Sequence, residues 1–80
     1  MPPVDEALTA VGDALSTRPY VDSFRLTRAL EALCRARDNC ADAALRERIS
    51  LLVTLVMGVK HPLGEPPWDA LEQARQGLRS

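Results

Sequence analysis

Apolar residues recur every three or four positions along most of this chain, which is the period of a helix that buries one side. Val4, Leu8, Val11 and Leu15 follow one another at spacings of 4, 3 and 4. They predict a helix over about 3–16 with one narrow apolar stripe. Pro2 and Pro3 suit its first turn, where an N–H has no helical partner to lose. Asp5 and Glu6 meet the positive end of the helix dipole. Gly12 falls inside, at a cost of roughly 1 kcal/mol relative to Ala, and Thr17-Arg18-Pro19 ends the segment.

A second helix is expected over about 20–38. It starts either at Pro19, after Arg18, or at Ser23, with Asp22 as its cap. Leu26, Leu30 and Leu33 make its stripe, and Tyr20, Phe24 and Cys34 widen it. Glu31 and Arg35 stand four apart in the favourable order, worth roughly a few tenths of a kcal/mol. Asp38-Asn39-Cys40-Ala41-Asp42 reads as a turn in which Asn39 or Asp42 caps a third helix, over about 42–60.

In that third segment Leu45, Ile49, Leu52, Val56 and Val59 repeat at 4, 3, 4 and 3. Leu51, Leu55 and Met57, with Val53, fill the other side. A helix that is apolar nearly all round should be covered on more than one side. Val53, Thr54, Val56 and Val59 are β-branched and also suit a strand, but the unbroken pattern from Ala43 favours helix. His61-Pro62-Leu63-Gly64-Glu65-Pro66-Pro67 is a rigid turn, so the helix stops before Pro62. Pro67 opens a last helix over about 66–78, with Trp68, Leu71, Arg75 and Leu78 on one side. Gly77 is placed to end it in a left-handed cap.

These segments predict an all-α fold: one domain over residues 1–80, a small bundle of three longer helices and a short C-terminal one. Leu30, Leu33, Leu45, Ile49, Leu52, Val56 and Trp68 are expected to be largely buried. Eighty residues are too few for two self-supporting cores. The chain is 46 % apolar and 26 % charged, a globular rather than a disordered composition. The longest apolar stretch, Ile49 to Val59, is too short to span a membrane. The N-terminus is acidic and proline-rich and does not read as a secretory signal. Nine of the ten basic residues are Arg, and Ala and Leu make up 23 of 80. That bias suggests a GC-rich bacterial genome. A cytoplasmic location with two free thiols is therefore expected.

Candidate chemistry is sparse. Cys34, Cys40 and His61 are the only soft ligands, and a structural zinc site usually takes four in paired spacing. His61 falls at the C-terminal end of a helix, where the dipole favours its cation and not a base. The four glycines are isolated, so no phosphate loop exists. No catalytic residue, metal or cofactor is expected, and no small-molecule substrate is evident. Arg25, Arg28 and Arg35 are candidate nucleic-acid contacts. Five Arg against three acids over 18–38 leave a local charge of only +2, and a net charge of −1 does not suit a general nucleic-acid binder. Asp22-Ser23-Phe24 resembles the Asp-Ser-Leu attachment site of acyl carrier proteins. The resemblance implies a carrier modified at Ser23. The chain departs from it in having only 22 residues before the serine and an arginine-rich helix after it.

The reading that ranks first is a small non-enzymatic protein–protein interaction module: a regulator, antiactivator, adaptor or chaperone. It would bind itself as a homodimer, or a helical partner, through an apolar helix face. Leu51, Val53, Leu55, Met57 and Val59 are the expected contacts. A nucleic-acid-binding regulator comes second, and a carrier third.

Overall fold

Two aspartates set the helix starts. Asp22 accepts a hydrogen bond from the Arg25 amide (3.1 Å), and Asp42 accepts from the amides of Ala44 (2.9 Å) and Leu45 (3.3 Å). Each satisfies donors that the first helical turn leaves without partners. The computed structural model describes residues 3–79, so the helix-starting role assigned to Pro2 lies outside the described residues. Among these it holds four helices, α1 (Pro3–Leu15), α2 (Ser23–Asp38), α3 (Ala43–Lys60) and α4 (Trp68–Arg79), and no strand. The helix reading of the β-branched 53–59 stretch is the observed one.

The boundaries differ from the sequence pattern where capping chemistry overrides it. Of the two starts open to α2, the Asp22 cap is the one used. Residues 16–20 instead form a hydrogen-bonded turn, in which the Thr17 hydroxyl meets the carbonyls of Ala14 (3.0 Å) and Tyr20 (2.9 Å). The Arg18–Pro19 peptide in this turn is cis. Asn39 closes α2 and does not open α3: its amide side chain donates to the Arg35 carbonyl at 2.8 Å. Pro67 precedes α4, where its carbonyl accepts from Leu71 (3.0 Å). Gly77 lies within α4, and no described glycine has a positive φ; the expected left-handed stop is not made.

α1 packs against α2 and α4, and α3 against the same two, which closes a ring of four helices. The core between them holds Leu8, Val11, Leu15, Leu26, Leu33, Ile49, Leu52, Val56, Val59, Trp68 and Leu71. Five of the seven residues expected inside are buried. Leu30 and Leu45 are half-buried and pack on the margin of the core. Leu45 falls in the first turn of α3, at the end of the bundle where coverage runs out. Tyr20 and Phe24, expected to widen the α2 stripe, are 70 % exposed. Tyr20 precedes the helix, and at 100° per residue Phe24 points about 160° away from Leu26.

Alanines also line the interior: Ala7 and Ala14 of α1, and Ala29, Ala32 and Ala36 of α2. Ala7 and Ala14 are two turns apart on the flank of α1 turned towards α2. Ala29, Ala32 and Ala36 lie on the flank of α2 that also carries Arg25, whose guanidinium reaches the Asp13 carbonyl of α1 (3.5 Å). Small side chains on both flanks suit a close approach of the two helices.

Gly12 has a similar purpose on the opposite flank. A Cβ there would sit 2.6 Å from the Arg75 guanidinium. The bare backbone lets Arg75 of α4 cross α1 and donate from Nε to the Leu8 carbonyl at 2.8 Å. The propensity cost of Gly12 is therefore offset by a charge-assisted bond between the first and last helices.

Two stability outcomes follow from this packing. Leu52 has no exposed surface, and Leu52→Ala should cost about 2–5 kcal/mol in denaturant unfolding. Gly12→Ala gains helix propensity but displaces Arg75, and should stay within about 0.5 kcal/mol of wild type. In an Arg75→Ala background the same substitution should stabilise by about 0.5–1 kcal/mol. Equal effects in both backgrounds would show that Arg75 does not need the missing side chain.

Candidate interaction surface

Among the described residues Cys34, Cys40 and His61 are not brought together. Cys34 and Cys40 are free and half-buried. Cys34 Sγ lies 3.8 Å from the Arg37 guanidinium, and the Cys40 thiol donates to the Asp42 carbonyl at 3.5 Å. His61 is exposed, and its backbone amide, not its ring, closes α3 on the Met57 carbonyl (2.9 Å). Among the described residues no group of three or more His, Cys, Asp or Glu could hold a metal ion. No helix there is long and apolar enough to cross a membrane. Ser23 is the exposed first residue of α2, and the neighbouring Asp22 is engaged as the cap and with Arg25 at 3.3 Å.

The five residues expected to form one apolar face of α3 do not share a side. Val59 is fully enclosed in the core, because it continues the Leu52–Val56 stripe. Val53 stands two turns from Lys60, whose ammonium donates to the Thr27 hydroxyl of α2 (2.8 Å). Leu55 stands two turns from Arg48, whose guanidinium bonds the Gly77 carbonyl of α4. Val53 and Leu55 are thus half-buried on opposite flanks, one against each neighbour. Leu51 (53 %) and Met57 (43 %) are exposed, but about 120° apart around the axis. Between them lie Ser50, Thr54 and Gly58. Residues 51 and 55 are one turn apart, as are 53 and 57, but the two pairs diverge around the axis.

The remaining large exposed apolar residues sit at one end of the bundle. The α1–α2 and α3–α4 connections meet there: Arg18 pairs with Asp69 (2.8 Å) and lies over the Trp68 ring (5.9 Å). Tyr20, Phe24 and a fully exposed Leu63 project from these connections or the helix turn beside them. A shallow depression of about 480 Å³ lies between the connections, lined by Arg18, Pro19, Glu65, Pro66, Pro67 and Trp68. The period of the helices carries no signal for such residues, since a loop has none.

The candidate nucleic-acid arginines are also divided. Arg25 is held by Asp22 and by the Asp13 carbonyl. Arg28 lies over the Phe24 ring at 5.8 Å, a cation–π contact. Only Arg35 is exposed without such an anchor. The expected Glu31–Arg35 pair is not made; Arg18–Asp69 and Arg25–Asp22 are the ion pairs among the described residues.

No family model matches the chain, and no curated protein and no solved structure matches it either.

Cys34→Ser, Cys40→Ser and His61→Ala, made singly, should leave helical content unchanged and melting within a few degrees of wild type. Elemental analysis of protein purified without added metal should find no zinc. Stoichiometric zinc would overturn this reading of the three side chains.

Proposed function

We propose that this chain is a small, non-enzymatic protein–protein interaction module of the bacterial cytoplasm, a regulator, antiactivator, adaptor or chaperone. It acts as a homodimer or on a helical partner, without cofactor or metal. The observation that supports this is the mismatch between a quiet interior and a busy exterior. Among the described residues every buried side chain is apolar, while Tyr20, Phe24, Leu51, Met57 and Leu63 all project. Single exposed apolar side chains are ordinary, but Tyr20, Phe24 and Leu63 project from the same end of the bundle, and grouped apolar surface is a feature of binding sites.

The nucleic-acid reading has less support. Phosphate contacts require free cationic heads, and two of the three candidate arginines are already occupied within the chain. The outer side of α2 also carries Glu31 and Asp38. In this reading the bundle is three longer helices and a shorter C-terminal one, α4 with 12 residues beside α1 with 13.

Light scattering over a wide concentration range, together with isolation of native complexes, tests the proposal. A mass above 8.8 kDa, or a stoichiometric helical partner, is the expected outcome. A monomer at high concentration that isolates alone would defeat it. Salt-sensitive DNA retardation would transfer the function to the arginines of α2.

A further inference from the structure

α4 is the helix with the least hold on the body. It buries only Trp68 and Leu71, with Ala74 and Leu78 half-buried, whereas α1 and α2 each bury five residues. Its other ties are polar: Arg18 with Asp69, Arg75 with the Leu8 carbonyl and Arg48 with the Gly77 carbonyl. An element with few buried apolar contacts opens at a lower cost than the rest. α4 packs on α1 and α3, as an amphipathic helix lies in a groove.

The link that carries α4, residues 61–67, is scarcely attached. Leu63 is fully exposed, and nothing beyond its chain neighbours lies within 4 Å of where a Gly64 Cβ would stand. Among the described residues, 62–65 make no hydrogen bond or ion pair. Pro62, Pro66 and Pro67 favour extended backbone in themselves and in the residue before each. Extended, residues 61–66 reach about 19 Å, comparable with the 21 × 20 Å section of the body. A straightened link therefore delivers α4 to a second body placed against this end. Pro67 is seated over Gly58, whose Cβ would stand 3.2 Å from it, so it travels with α4 from one α3 to the other.

We infer that two copies of the chain exchange α4, each copy's α4 lying in the α1–α3 groove of the other. The inference rests on the interaction-module reading and names the second copy as the occupant. The groove already fits this helix, so every contact of the closed chain is made again in the exchanged pair. The exchange also adds contacts. Tyr20, Phe24 and Leu63 project from the end where the links emerge. Two bodies joined by straightened links meet at that end, and the two links pass each other about the two-fold axis with Leu63 beside its counterpart. Apolar surface that the closed monomer leaves in water is covered there. A foreign helix in the groove would replace α4 without covering these three residues.

Sedimentation equilibrium should show wild type moving from 8.8 kDa towards twice that mass with concentration. Removal of residues 62–65 leaves His61-Pro66-Pro67, too short and too stiff to turn back. That variant should be dimeric at every concentration, with helical content per residue unchanged by circular dichroism; a folded monomer overturns the inference. A second arm reads the place of α4 even if the shortened chain does not fold. Arg18→Asp sets two acids against each other at the α4 contact, and Asp69→Arg sets two cations. Refolded together, these variants restore both pairs only where each α4 lies on the other's body. Native mass spectrometry should find the mixed dimer above its statistical share, and a merely statistical share overturns the exchange. A wild type that stays monomeric at millimolar concentration overturns it too. If Leu51→Glu/Met57→Glu returns the dimer to monomer, the copies meet on α3: the exchange is wrong but the interaction-module reading stands. If wild type is monomeric yet isolates with a foreign helical protein, the second copy is wrong and the module reading again stands. A monomer that isolates alone defeats both.

Discussion

Ala7 and Ala14 of α1 meet the flank of α2 that carries Ala29, Ala32 and Ala36, and the other contacts of the bundle are arranged around this close pair. α1 has one narrow stripe of large apolar residues and little else to bury. It gains a second packed flank only because its alanines let α2 approach. Its third contact is made through Gly12, which lets Arg75 reach the Leu8 carbonyl. Small residues on two flanks therefore hold this short helix between α2 and α4.

α3 solves the opposite problem. It has more apolar surface than one neighbour can cover, and the ring supplies two. The Leu52–Val56–Val59 stripe enters the core, Val53 leans to α2 and Leu55 to α4. Polar tethers hold each flank, Lys60 to Thr27 and Arg48 to Gly77. The apolar excess of the helix is thus mostly consumed within the chain. The exposed remainder, Leu51 and Met57, is divided by Ser50, Thr54 and Gly58. The weight of exposed apolar surface shifts to the end formed by the two connections.

The sequence by itself determined the helices, their number and most of their ends. A 3-and-4 spacing is a local property of a rigid helix, and Asp22 and Asp42 bond donors only two or three residues away. It also determined that Ile49, Leu52 and Val56 go inside, because they continue one stripe. Tertiary structure decided whatever depends on which helix lies beside which. Alanine carries almost no hydrophobic signal, so the burial of Ala7, Ala14, Ala29, Ala32 and Ala36 was legible only once α2 lay beside α1. Gly12 read as a defect until Arg75, 63 positions later, filled its space. The residues of α3 outside its main stripe read as one face because the sequence does not say where two neighbours stand, and the ring assigned Val53 and Leu55 to different ones. Phe24 and Tyr20 were apolar enough to be placed inside. The Asp22 cap leaves Tyr20 outside the helix, and Phe24 is turned from the core by the helix period itself, two residues from Leu26.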